Sequence, residues 1–128
     1  MFAGGGRVGY HPFVPSSPTS RTLQECRKRG WTSAVVEKWI PQTKRRLDLF
    51  GCIDIVALDG QPGVLGIQAT SGGNHSSRVS KALEEPRLQE WLRAGNRFAV
   101  WSWSKKGPAG TRKKWTLREQ ELLQKVDG

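Results

Sequence analysis

Two apolar runs decide how this chain is read: Ile53-Asp54-Ile55-Val56-Ala57-Leu58 and, after a turn, Val64-Leu65-Gly66-Ile67-Gln68-Ala69-Thr70. Both are rich in β-branched and aliphatic residues, and Asp59-Gly60-Gln61-Pro62-Gly63 between them is turn chemistry. Two strands joined as a hairpin are therefore expected over Cys52–Leu58 and Val64–Thr70. Side chains alternate along a strand, so Ile53, Ile55 and Ala57 share one face, with Asp54 and Val56 on the other. In the second run Leu65, Ile67 and Ala69 share a face, opposite Gly66, Gln68 and Thr70. Asp54, Gln68 and Thr70 are thus expected to converge on one side of the hairpin. A carboxylate inside an apolar strand is costly unless something uses it, and Mg²⁺, with its hard oxygen ligands, is such a use.

Upstream, Thr19 or Ser20 can cap a helix to about Arg29, with Leu23 and Cys26 as its apolar stripe and Gly30 as its stop. Trp31–Ile40 reads as one strand ended by Pro41, carrying Glu37 between Val36 and Lys38. Lys44, Arg45 and Arg46 form a basic connection, and Leu47-Asp48-Leu49-Phe50-Gly51 leads into the second strand; Asp48 is expected to pair with Arg46. Downstream, a loop at Ser71–Asn74 precedes a helix from about His75, with Val79 and Leu83 on one face. Pro86 begins a second helical segment carrying Leu88, Trp91 and Leu92, stopped by Gly95. Arg97–Ser104 reads as a strand, Lys105–Lys114 as a basic loop, and Trp115–Leu122 begins as a strand. Residues 1–19, rich in Gly and Pro, read as a flexible arm; residues 20–128 form the domain. Gly4-Gly5-Gly6-Arg7-Val8-Gly9 matches GxGxxG in form, but no strand precedes it and no helix follows. The order is α-β-β-β-α-β plus a terminal element, an α/β sandwich with a mixed central sheet.

Composition narrows the partner. Against 11 Asp+Glu stand 21 Lys+Arg, a net charge of +10, which attracts polyanions. Nucleic acid is the expected partner, because each phosphate neutralised releases counterions. There is no long basic amphipathic helix to favour a membrane surface and no run of apolar residues long enough to span one. Cys26 and Cys52 form no CxxC pattern, so neither zinc nor a disulfide framework is indicated; Cys52 reads as a small core residue. Two thiols and no secretory segment point to a reducing cytosol, bacterial or that of a phage-infected host.

Strand-Asp, turn, strand-Gln68-Ala69-Thr70 and then helix resembles the PD-(D/E)XK nuclease superfamily, with its restriction-endonuclease-like fold. The two strand segments look most like the metal-site strands of archaeal-type Holliday junction resolvases. The resemblance spans roughly residues 20–105 by element order and is sharp at the two strands. It implies a Mg²⁺- or Mn²⁺-dependent endonuclease acting on DNA, branched junctions included, and a homodimer, since two symmetric strands are cut. On that reading Asp54 ligates the metal, Gln68 offers its amide oxygen where the family has Glu, and Thr70 stands where it has Lys. The family's helix-one Glu is also missing, Glu25 lying half-way along. Glu37 could supply a second carboxylate. Lys81, with Arg78 one turn earlier, could take the part of the lysine, since in some members of the superfamily it has moved to this helix.

Each candidate has a plainer reading. Asp54 could be a strand carboxylate paired with Arg45 or Arg46. Gln68 could bridge backbone groups, Thr70 could reflect strand propensity, and Glu37 could be a solvated strand residue. Arg78 and Lys81 could be a solvated helix face. His75, beside Asn74 and Ser76, could contact phosphate or act as a base, but such a residue more often caps a helix. Lys105, Lys106, Arg112, Lys113 and Lys114, the densest basic run, together with Lys44, Arg45 and Arg46, are expected to grip phosphates without reading sequence. Trp115 beside them could stack on an unpaired base or be a sheet-edge aromatic. Trp91 is expected in the core, and Trp31, Trp39, Trp101 and Trp103 mostly in the sandwich. Two other functions compete with cutting: a nuclease-like fold that only binds nucleic acid, and a basic RNA- or ribosome-associated protein without a metal.

Overall fold

The computed structural model describes residues 17–125. The expected flexible arm and its GxGxxG match lie outside this range up to residue 16. The rest of the expected arm is helical: α1 spans Pro18–Lys28, and its cap is Ser17 rather than Thr19 or Ser20. Ser17 and Ser20 form a reciprocal capping box, and Pro18 sits at the first helical position, where its missing N–H costs nothing. Gly30, at φ 79°, ends the helix as expected.

Strand β1 covers Thr32–Val35, β2 Lys38–Ile40, β3 Arg45–Leu47, β4 Ile55–Leu58 and β5 Leu65–Ser71. Helices α2 (His75–Leu83) and α3 (Pro86–Arg93) follow, then β6 (Arg97–Lys106) and β7 (Lys114–Leu122). Five strands form a mixed sheet in the order β1-β4-β5-β6-β7, with β5 and β6 parallel and the other pairs antiparallel. Strands β2 and β3 form a separate hairpin.

The helices cover both faces of the sheet. Cys26 and Leu23 of α1 pack on Ile55, Ala57, Leu65, Ile67, Ala99 and Trp101. Ala82 of α2 with Leu88 and Leu92 of α3 packs on Ile53, Phe98, Val100 and Leu122 of the other face. This is an α/β sandwich with a mixed sheet, as the sequence implies. Gly66 is needed where Trp91 approaches: an added Cβ would lie 3.0 Å from Ile53 and 3.3 Å from Trp91. Asp59 accepts its own turn's Gln61 N–H and a bidentate pair from Arg97, fastening the β4–β5 turn to the start of β6. Cys26 and Cys52 are free and buried, and burial pushes the Cys52 thiol up to about 12, so both act as core residues. No helix among the described residues is long and apolar enough to cross a membrane.

Several expectations need correction. The expected strand Trp31–Ile40 breaks at Val36-Glu37, because Val36 N–H donates to Asp54 O while the chain beyond pairs with β3 instead. The basic connection is itself partly a strand, β3. Ile53 does not share the face of Ile55 and Ala57; the chain bends at Asp54, and Ile53 joins the core of the opposite face. Trp39 does not fill the sandwich: on the β2–β3 hairpin it is 53% exposed.

Candidate metal centre

The bend at Asp54 builds the site. The pairing Ile55↔Ile67 would continue by setting Asp54 opposite Gln68, yet Asp54 N–H donates to Ile67 O at 2.9 Å. Ile53 O has turned away to accept from Leu49 N–H at 2.9 Å. The Ala69 N–H is therefore left without a strand carbonyl, and Asp54 Oδ2 takes its place at 2.9 Å. The carboxylate thus finishes the ladder at the end of β4 and is held rigidly against β5.

Two further acids reach the same point. Glu37 follows β1 and Asp48 follows β3, so the inserted β2–β3 hairpin carries one acid at each of its feet. One carboxylate oxygen from each of Glu37, Asp48 and Asp54 lies within 4.8 Å of the other two. Gln68 closes the group: its Nε2 donates to Asp48 Oδ2 at 3.2 Å, while its Oε1 is buried without a hydrogen-bond partner among the described residues. Asp54 is 6% exposed and Gln68 3%. Burial first, then the hydrogen bond and negative charge of Asp48, push the Asp54 carboxyl up to about 8, against the pull of the Ala69 N–H.

Three clustered acids and an orphaned amide oxygen fit a hard divalent cation, which would offset their repulsion and satisfy the stranded lone pairs. The donors would be Glu37, Asp48, Asp54 and Gln68 Oε1. Asp48 was expected to pair with Arg46 and does not; Arg46 reaches Glu37 at 3.0 Å. Neither Arg45 nor Arg46 pairs with Asp54. The one sequence signal for Asp48 is an acid between two leucines, Leu47 and Leu49, repeating the apolar-acid-apolar pattern of Asp54.

The other candidates separate. Thr70 is buried on β5 beside Ser102 of β6, two residues beyond Gln68. Lys81 is exposed on α2, where it acts electrostatically on Glu85, and Arg78 is half-buried. Glu25 is held by Arg29 at 2.9 Å. His75 is neither a surface phosphate contact nor the cap of α2, whose N-cap position is Asn74. It is 1% exposed, with Nδ1 2.6 Å from Ser102 Oγ and Nε2 2.8 Å from Gln120 Oε1. Gln120 Oε1 can only accept, so Nε2 carries a proton, and the Nδ1–Ser102 Oγ hydrogen bond runs in the direction that the ring's remaining proton sets.

The basic residues sit on two hairpins. Lys44, Arg45 and Arg46 are exposed on β2–β3. Lys105, Lys106, Arg112, Lys113 and Lys114 are exposed where β6 turns into β7. Because β5 and β6 are parallel, with Ser71 beside Trp103, this second hairpin leaves the sheet at the end where Asp54 meets Ala69. Trp115 is an edge-strand aromatic, 44% exposed, with the Arg21 guanidinium 3.7 Å from its ring centroid and Lys105 at 5.4 Å.

Beside Asp48 the chain turns sharply through Leu49-Phe50-Gly51-Cys52. Phe50 (φ 53°) and Gly51 (φ 77°) are both left-handed, closed by Cys52 N–H to Leu49 O at 3.2 Å. Gly51 suits this turn; Phe50 does not, and holding a bulky residue there costs roughly 1–3 kcal/mol. Comparison with protein-family models, with curated proteins and with solved structures gave no match.

Proposed function

We propose that the chain is a divalent-metal-dependent nuclease of the PD-(D/E)XK kind that cleaves DNA, with Glu37, Asp48, Asp54 and Gln68 as the metal's ligands. The observation that carries this reading is the meeting of three carboxylates within 4.8 Å beside the unpartnered Gln68 Oε1. The element order supports it too: α1-β1-β4-β5-α2-β6 is α-β-β-β-α-β, with the β2–β3 hairpin inserted and α3 and β7 added. So does the charge of +10, with Lys44, Arg45 and Arg46 exposed on one hairpin and Lys105, Lys106, Arg112, Lys113 and Lys114 on another.

Glu37, Asp48, Asp54 and Gln68 would hold a Mg²⁺ or Mn²⁺ ion, which would supply positive charge against the negative phosphodiester and lower the pKa of water. The protein's own contribution is rigidity and substrate placement. Asp54 is fixed by the Ala69 N–H, Asp48 by Gln68 Nε2, and Glu37 by Arg46. The two basic hairpins hold the phosphate backbone on either side. Asp48 restores the second acid that Gln68 lacks.

The test is incubation with labelled duplex, flap and four-way-junction DNA in Mg²⁺ or Mn²⁺. Cleavage by the wild type that Asp54→Ala and Asp48→Ala abolish is the expected result. A second reading, a nuclease-like fold that binds without cutting, is favoured by one observation. Among the described residues no cation is one of the groups that chiefly set the environment of Asp54, Thr70 standing where a lysine would. Tight, salt-sensitive binding without turnover would select it. Branched substrates, dimerisation and a cytosolic location are further parts of the first proposal, to be read from the same substrates and from sedimentation.

A further inference from the structure

A cleft of about 310 Å³ opens beside the carboxylates and shares Asp48 with them. Val36, Leu47, Leu49 and Phe50 wall it with apolar surface, and Lys38 stands at its rim. Lys38 and Leu47 are register partners on β2 and β3, so one face of the inserted hairpin forms one wall. The other wall is the strained turn, which keeps Phe50 38% exposed although its ring also meets Trp91 at 6.2 Å. Arg87, also lining the cleft, is engaged by Glu85 at 2.8 Å, whereas Lys38 has no ion-pair partner among the described residues.

Resting on the nuclease reading, we infer that this cleft takes one unstacked nucleobase next to the scissile phosphate, with Phe50 stacking on the base and Lys38 holding the adjoining phosphate. Three observations converge on it. The cleft adjoins the metal ligands through Asp48, so a nucleotide seated in it has its phosphate at the carboxylates. An aromatic ring is kept exposed by a backbone conformation that its residue type disfavours, and such outliers gather at ligand sites. An unengaged lysine at an apolar rim matches a base attached to a phosphate, where a purely apolar ligand would leave it idle. A base inside a duplex cannot reach such a cleft without leaving its stack, so the substrate class is DNA with an unpaired nucleotide, such as a bulge, flap or junction.

The experiment is a cycle of binding measurements by fluorescence anisotropy, in Ca²⁺ to hold back cleavage. The probes are a labelled duplex with one bulged thymidine and the same duplex with an abasic site at that position; the proteins are wild type, Phe50→Leu and Lys38→Ala. Wild type should bind the thymidine bulge about tenfold tighter than the abasic one, the worth of one base on an aromatic ring. Phe50→Leu, which keeps apolar bulk against Trp91, should bind both alike. Lys38→Ala, a fully surface change, should weaken both equally. Equal affinity of wild type for the two DNAs, or an unchanged preference in Phe50→Leu, overturns the inference. Cleavage in Mg²⁺ is scored separately: turnover without base preference sinks the cleft alone, and base preference without turnover sinks the nuclease reading alone.

Discussion

Gln68 on β5 donates to Asp48 across the site, Nε2 to Oδ2 at 3.2 Å, and this bond joins the only non-acidic member of the cluster to the acid that the sequence concealed. It also orients the amide. With Nε2 committed to Asp48, Oε1 has to face elsewhere, and it is buried there without a partner. A buried acceptor left empty costs about 1–3 kcal/mol, which a bound cation would return.

Asp54→Asn separates repulsion from ligation. The Asn oxygen can still accept the Ala69 N–H, but the charge is gone. Metal-free at pH 8, this variant should melt higher than wild type, by roughly 3–6 °C for each kcal/mol of repulsion relieved. It should also lose the cation response. Wild type at a Mn²⁺ concentration of 100 Kd should gain about 2.7 kcal/mol, and Asp54→Asn close to none. Differential scanning fluorimetry with and without Mn²⁺ reads both. A wild type indifferent to Mn²⁺ would remove the metal from the site.

The same carboxyl sets a pH dependence. Burial and Asp48 raise the folded-state pKa of Asp54 from 3.8 to about 8. The folded protein therefore holds a proton that the unfolded chain releases. This contribution is complete below the unfolded value and is lost as pH climbs through the folded one. Metal-free Tm should accordingly fall between pH 4 and 8, and saturating Mg²⁺ or Mn²⁺ should flatten the slope. Asp59, lowered by its Arg97 pair, acts in the other sense and only at more acid pH. A flat metal-free profile across this range would show that Asp54 is already charged.

The strands β4, β5 and β6 were legible because buried strands are written as dense β-branched and aromatic runs, and Asp54 stood out as a charge within one. Helix ends were legible from Gly30, Pro86 and Gly95. The hairpin β2–β3 was not. Val35, Val36, Trp39 and Ile40 form a continuous apolar pattern, and what splits it is a hydrogen bond from Val36 to a residue eighteen positions on, invisible to local periodicity. Strand β3 is three exposed residues, Arg45-Arg46-Leu47, with no buried face to mark it. Missing that hairpin hid Asp48, which is brought to Asp54 by its fold. The burial of His75 was hidden for the same reason, since its polar partners come from β6 and β7.

His75→Ala tests that correction. Removing the imidazole leaves the Ser102 hydroxyl and the Gln120 amide oxygen without their partner beneath the α2 layer. A loss of about 2–4 kcal/mol in urea denaturation is expected. DNA affinity at a temperature where the variant is still folded should stay within twofold of wild type. A selective loss of affinity with stability intact would return His75 to the nucleic-acid surface.

Lys106 and Lys114 are register partners across β6–β7, two like charges set directly opposite each other. Such a pair works against the hairpin by a few tenths of a kcal/mol, and an intervening phosphate would reverse the sign. Lys106→Ala should therefore leave stability unchanged or slightly raised, yet weaken DNA binding. The dependence of log K on log salt should become shallower by about 0.9 for each duplex phosphate contact removed. The weakening should be the same for every DNA sequence, because the Lys106 side chain offers one ammonium group to the backbone and no fork to a base edge. A salt slope identical to wild type would mean that this hairpin does not touch the backbone, and the grip would then have to come from Lys44, Arg45 and Arg46 alone.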